Sequence, residues 1–492
     1  MFAQTGSGGF ARVVSLWLVI GALGQAAGAQ YGGGNGTPDH PFLIFTAEQL
    51  NSVGLRPGDW DKHFKLMADI DLGGYDPTEF NIIGTSEDGA FAGVFDGNQK
   101  AIFSFRRASE FGSYFGLFGF VSGEQARIMN VTLVDPNVSG GFGKYVGTLT
   151  GFLRDGTVSN CHVRAGRVSG DGFVGGLVGK KEGGSVVDCT AAATVHGSTY
   201  IGGLVGQSYF GTVARCRAAG EVVGVSEPAS WAVGGLVGEN SNATVRACQA
   251  RGTVTGDTCI GGLVGNNYLA AVDRSSADGR VAGGEDVGGL IGRCNKGIIT
   301  DCYALTQVTG ARIVGGLVGR HGPSCYCQVF ERGLIARSYA AGPVRGGKYT
   351  GGLTGVNERE NYVEYSFWDV EATGCKESAD GEAKTPRQMY DSATYMDAGW
   401  DFLPEKKNGT EDIWSMPMPN SYPRLAWEPL DGDFNADGRM DLRDYSAFAG
   451  HWRQIDTAFG SIGALMTTDG IVDFDDLTSL ADAWLTHLGH RR

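Results

Sequence analysis

The sequence is short of proline, with 14 in 492 residues, and it has no block of like charge and no stripe of lysine and arginine. Without a proline-rich or polar low-complexity tract, nothing calls for disorder. Without a basic stripe there is no electrostatic footprint for a phosphate backbone, which argues against nucleic acid as a partner. The net charge of −14 is spread along the chain. Catalytic signatures are missing as well. None of the eight histidines begins the H-E-x-x-H pair of a zinc peptidase, no G-x-S-x-G nucleophile elbow occurs, and no glycine-rich phosphate loop follows a strand. The one strongly apolar run, residues 13–23 behind Arg12, falls short of the ~20 residues a bilayer span needs. With Ala27, Gly28 and Ala29 after it, the run reads as a signal peptide over residues 1–29 rather than a membrane anchor. The mature chain is therefore expected to be secreted or at the cell surface, with no membrane span after cleavage.

Glycine, by contrast, occurs 81 times, and much of it is periodic. A hexapeptide of the form Val-Gly-Gly-Leu-Val-Gly recurs at 174–179, 201–206, 233–238, 260–265, 287–292 and 314–319, with a variant at 350–355. Between Leu149, Leu177, Leu204, Leu236, Leu263, Leu290, Leu317 and Leu353 the steps are 28, 27, 32, 27, 27, 27 and 36 residues, the longer ones being insertions. Aligning on the leucine exposes further columns. Nine residues on stand Val158, Val186, Val213, Val245, Val272 and Ile299; twelve on stand Cys161, Cys189, Cys216, Cys248, Ser275 and Cys302. Fourteen on stand Val163, Ala191, Ala218, Ala250, Ala277 and Ala304, so the last two columns alternate as strand faces do. A final valine column, from Val168 through Val344, is followed each time by a glycine two places later, and such glycines are expected to take φ > 0 at corners. No single repeat can bury its own apolar side, so the coils must stack. The expected fold is all-β: a parallel β-helix (β-solenoid) of coils of about 27 residues. A helical solenoid fails because nothing keeps a 3.6-residue period and glycine within helices costs about 1 kcal/mol each.

The hexapeptide, with a valine and a cysteine downstream, resembles the GLUG repeat of bacterial surface proteins. Residues 30–90 then read as an N-terminal cap and first coils, 91–370 as the GLUG-repeat solenoid, and 371–429 as its C-terminal cap. Phe91 to Asn98 and Phe115 to Gly119 resemble leading coils. Trp400 within Ala398 to Phe402, and Tyr422 to Leu425, resemble the closing segment. Immunoglobulin A proteases that carry GLUG repeats add a zinc-peptidase domain, and the missing H-E-x-x-H argues against one here.

Five of the ten cysteines share one column, where Ser275 substitutes, which favours buried free thiols over disulfides between successive coils. Cys294 lies off that column, and a disulfide to Cys325 or Cys327 in the next coil's insertion is a candidate. Aromatic residues at corners and insertions, Trp231, Tyr209, Phe210, Tyr268 and Tyr326, are candidate ligand contacts, with Trp231 in the extra loop 225–231 foremost; the alternative is packing over coil edges.

Composition changes after Pro429. Asp433, Asn435, Asp437, Arg439 (through its carbonyl), Asp441 and Asp444 occupy positions 1, 3, 5, 7, 9 and 12 of a calcium loop, with Gly438 at the sharp turn. A weaker copy follows with Asp469, Ile471, Asp473 and Asp476, but Leu465 and Thr467 stand at positions 1 and 3. Each loop precedes an apolar helical face, so residues 430–492 form a small α-helical module that resembles a dockerin domain. That resemblance implies bound Ca2+ and a cohesin-type partner, contacted through Leu442, Arg443, Phe474 and Asp475. The chain is expected to be a non-catalytic scaffold or adhesin attached through this module; glycans or host or matrix polymers are further candidate ligands. The alternative is a component that binds or degrades polysaccharide, a lyase or hydrolase working on the solenoid face.

Overall fold

The computed structural model describes residues 31–428, apart from 226, 228, 324–331, 359–360 and 417–419. Both calcium loops, the four partner residues, Tyr326, Cys325, Cys327 and the signal segment lie outside the described residues.

Each coil is built from short strands. In one, Gly172–Gly175 turns through the hexapeptide into Val178–Glu182, and Ser185–Val187, Thr190–Ala191 and Thr194–Gly197 complete the circuit. Among the described residues the coils pair in parallel into one sheet of 29 strands and two of 9, about ten turns in all. The sequence columns are the spatial columns: Val158, Val186, Val213, Val245, Val272, Ile299 and Ile335 are successive register partners. Insertions leave register intact, since Val205 pairs with Val237 across a 32-residue step. The hexapeptide leucines from Leu149 to Leu353 are fully buried, a gain of about 2 kcal/mol for each side chain removed from water. In the first coils Phe64, Phe91, Phe95 and Phe118 take over the interior, and the helix Ala47–Gly54, capped by the Thr46 hydroxyl, packs Leu50 and Val53 into the same core.

The repeat glycines do not do what the sequence suggested. Neither the hexapeptide glycines nor those after the valine column have positive φ. They stand where the next coil leaves no room for a Cβ: one on Gly235 would lie 2.0 Å from the Gly262 carbonyl oxygen, and one on Gly203 2.1 Å from that of Gly235. Left-handed φ is taken instead by residues with side chains, in columns such as Tyr145, Phe173 and Tyr200, or Asn160, Asp188 and Arg215. Each such residue costs roughly 1 kcal/mol, which the stack over-determines.

The eight described cysteines are free thiols. In the ladder each thiol donates to the carbonyl two residues back, as Cys189 does to Val187 at 3.1 Å, and Cys189, Cys248 and Cys302 also accept the amide of the preceding coil, as from Cys161 N at 3.4 Å. A serine hydroxyl makes the same pair of bonds. Ser275 donates to Asp273 and accepts from Cys248 N, and Ser338 and Ser366 continue the ladder. Cys294 is buried beside Asn267 in a different column, one of inward polar residues that also holds Lys181, Ser208, Asn240 and His321.

The closing segment departs from a simple end plug. Glu382–Lys384 pairs with Phe367–Asp369 on the last coil, but the chain then runs back along the flank. Short helices Pro386–Met389 and Ser392–Met396 lead to Trp400, Phe402 and Trp414, which form a second apolar cluster with Tyr303, Tyr339 and Phe367. Phe367 stacks on Trp400 at 5.8 Å, and the Tyr339 hydroxyl donates to the Pro423 carbonyl at 2.7 Å. Trp427 reaches Arg274 O at 3.0 Å.

Candidate functional site

The residue after each ladder cysteine or serine points outward: His162, Thr190, Arg217, Gln249, Ser276, Tyr303, Tyr339 and Phe367. The residue before it takes left-handed φ at Asn160, Asp188, Arg215, Ala247 and Arg274, bending the chain and leaving a trough along the axis. The closing segment covers the C-terminal stretch of this trough. The remainder is a groove of about 520 Å3, lined by Gln99, Asn130, Thr132, Asn160, His162, Asp188, Thr190, Arg215, Arg217, Arg246, Ala247, Arg274 and Trp427.

At one end the groove is a continuous polar network. Asn130 Nδ2 donates to Asp96 at 2.9 Å, Asn160 Nδ2 donates to Asn130 Oδ1 at 2.8 Å, and Asn160 Oδ1 lies 3.1 Å from His162 Nε2. His162 Nδ1 lies 3.0 Å from the Thr190 hydroxyl. With Asn160 Oδ1 as acceptor, the network assigns the proton to Nε2 and leaves Nδ1 to accept from Thr190. Burial, and then the nearby Arg164, push the His162 pKa down to about 4, so the ring is neutral at physiological pH.

At the other end arginines dominate. Asp188 accepts two bonds from Arg215, at 2.6 and 2.8 Å, and it is the only carboxylate among the lining residues. Arg246 pairs with Asp273 at 3.1 Å, and Arg274 with Glu411 and, at 3.8 Å, with Asp273. Arg217 differs. Its guanidinium lies 5.9 Å from the centre of the Trp427 ring and makes no hydrogen bond or ion pair among the described residues. Burial and the like charge of Arg251 lower its pKa, partly offset by Glu428. Glu428 is itself engaged, accepting from the Ser276 hydroxyl at 2.5 Å and the Tyr303 hydroxyl at 2.6 Å.

The aromatic candidates do not converge. Trp231 is not a loop residue: it opens the strand Trp231–Gly234 and packs edge-on against Tyr200 at 5.1 Å, half-buried. It ends an outer stack of Tyr114, Tyr145, Phe173 and Tyr200, with centroids 4.8 to 5.3 Å apart, that stiffens one corner. Tyr209 and Tyr268 share another column with Ser241 between them. Tyr209 is half-buried against Phe210 with Lys180 above it, while Phe210 is exposed. None of these lines the groove. Among the described residues no cluster of three or more His, Cys, Asp or Glu is placed to hold a metal ion. The groove arginines and Trp427 were missed because they do not repeat. The available signal was the position beside the cysteine column, where chemistry changes from coil to coil.

Residues 197–223, 229–255 and 256–282 match the GLUG motif. The chain carries GLUG repeats. Halomucin of Haloquadratum walsbyi is 37% identical over 153 residues, 30% of this chain and 2% of halomucin. A protein of Evansella cellulosilytica described as a Gly-rich membrane protein is 34% identical over 155 residues, 31% of this chain and 18% of its own. The chain thus spans less than a fifth of either relative. A solved structure assigned as an immunoglobulin A1 protease, from Bacteroides ovatus, aligns with 82% of this chain and 97% of its own, with TM-score 0.39 and 18% identity. A second, described as IgA1 Protease, aligns with 60% and 21%, with TM-score 0.34 and 15% identity.

Proposed function

We propose that this chain is an exported, surface-displayed scaffold. Its rigid, non-catalytic solenoid holds a ligand in the arginine-lined groove, and its C-terminal calcium module attaches it to a cohesin-type or other surface protein. The observation that carries the non-catalytic reading is the state of the groove's titratable groups. Asp188 is held by Arg215, and neutral His162 has both ring nitrogens engaged, so the lining offers binding groups without a free acid and base. The names of the two relatives support a place at the cell surface. A polysaccharide-degrading role is the second reading, favoured by the groove's position along the solenoid flank. A reducing-sugar assay on groove-binding polymers separates the two: released ends would overturn the non-catalytic reading.

In the module, Asp433, Asn435, Asp437, Asp441 and Asp444, with the Arg439 carbonyl, supply oxygens to Ca2+, and the copy at Asp469, Ile471, Asp473 and Asp476 binds more weakly or not at all. Bound ion adds stability as its free concentration exceeds its dissociation constant. Chelation is expected to lower the melting of the module and leave the β signal in circular dichroism unchanged. Loss of the β signal on chelation would contradict the division of labour between solenoid and module.

A further inference from the structure

Three of the four groove arginines are neutralised by carboxylates and Arg217 is not. A half-buried guanidinium with Arg251 nearby, and its nearest counter-charge Glu428 already bonded, is a cation prepared for an anion from outside. Beside it, the half-buried Trp427 indole is pinned through its N–H to Arg274 O at 3.0 Å, a flat apolar surface held in place.

The rest of the lining selects the kind of anion. Beyond the bonds they make within the network, Asn130 and Asn160 each keep a second amide hydrogen and Thr190 keeps its hydroxyl lone pairs, and with Thr132 these suit ligand hydroxyls. Backbone groups are spent between coils: the Thr190, Arg217 and Gln249 amides donate to Cys161, Cys189 and Cys216 carbonyls at 3.0 to 3.1 Å, so an extended peptide finds no strand edge to join. From Asn130 to Arg274 the trough crosses six coils, about 24 Å at about 4.8 Å per coil, room for a chain of several rings.

We propose that the groove binds an acidic polysaccharide, with Arg217 taking a carboxylate or sulfate and Trp427 stacking on an adjacent sugar ring. The proposal rests on the reading of the groove as a ligand site and names its ligand class. Calorimetry on the full chain with polygalacturonate fragments, dextran sulfate and neutral dextran tests it. Binding of one anionic polymer, with affinity falling as salt rises, is expected, and which one binds distinguishes carboxylate from sulfate. Arg217→Gln should weaken that binding tenfold or more, about the loss of one charge-assisted hydrogen bond, and Arg217→Lys should recover part of it. Trp427→Ala should weaken it about tenfold, and Lys348→Gln, outside the groove, should not change it. Thermal melts of every variant separate lost binding from lost folding. Neutral dextran binding that ignores Arg217→Gln would overturn the acidic ligand and leave the groove reading standing. No binding of any polymer would overturn both.

Discussion

Neighbouring residues in the same coil obey opposite rules. Reading one position from coil to coil gives Cys161, Cys189, Cys216, Cys248, Ser275, Cys302, Ser338 and Ser366, nearly constant; the next position gives His162, Thr190, Arg217, Gln249, Ser276, Tyr303, Tyr339 and Phe367, never settled. The first faces the interior, where each coil presents the same two hydrogen-bond demands and only a small side chain that both donates and accepts meets them. The second faces outward, where neighbours touch in pairs of their own kind, as His162 with Thr190 and Tyr303 with Tyr339, and no single demand repeats from coil to coil. It serves two tasks in succession: the aromatic residues, with Gln249 and Ser276, receive the closing segment, and His162, Thr190 and Arg217 line the groove that the segment leaves open. Constancy along a solenoid column therefore reports stacking, and variation reports surface chemistry.

Inner positions should be costly to change and outer ones cheap. Leu236→Ala is expected to lower stability by about 3 kcal/mol through an unfilled cavity, and Gly235→Ala by a similar amount because its Cβ would meet the Gly262 carbonyl at 2.0 Å. Denaturant midpoints measure both, and a near-neutral Gly235→Ala would break the close-approach account. Lys181 sharpens the comparison because it is an inner residue that carries charge. Burial lowers its pKa from 10.5 to about 7, while in the unfolded chain the amine stays protonated to about 10.5. The unfolded state thus binds more protons across that window, so this residue makes stability rise with pH from about 7 and level off above about 10.5. Lys181→Met should flatten the rise and stabilise the protein at pH 7; an unchanged slope would place Lys181 in water. Tyr339→Phe removes the bond to the Pro423 carbonyl and should cost about 1 kcal/mol. Hydrogen exchange should locate that loss in the closing segment rather than in earlier coils. Cys248→Ser should change stability by less than about 1 kcal/mol, and Cys248→Ala by more, since it leaves the Cys216 amide without its acceptor. Equal effects would remove the explanation of why serine enters the ladder. Smallest of all, Arg217→Gln should stay within about 0.5 kcal/mol of the parent in the same unfolding experiment.

Much of the solenoid was legible because its inner columns repeat. The leucine, valine and cysteine positions each recur with the period of a coil, and register partners such as Val158 and Val186 follow directly. What did not repeat was not legible. The glycines two places after the valine column were assigned to left-handed corners because glycine tolerates them, whereas the structure keeps those for close packing, takes left-handed φ at Tyr145, Phe173, Asp188 and Arg215, and uses left-handed glycine at other turns such as Gly183, Gly184 and Gly211. Trp231 looked like a loop aromatic because an insertion precedes it, yet strand pairing with Thr199 and Thr258 fixes it in the wall. Lys181 sits in a run of charged residues that reads as surface, although strand alternation turns it inward. The groove depends on where the closing segment stops along the flank, which no local pattern in the chain encodes.

The most direct test is a set of spin-label distances from Ser185, whose register partners run through Thr212, Thr244, Ala271 and Ile298 to Leu334. Pairs from Ser185 to Ala271, Ile298 and Leu334 should lengthen by about 4.8 Å at each step. Those steps add 27 and then 36 residues, so equal increments are the result the stacked coils predict. Increments that grow with the number of intervening residues would contradict them.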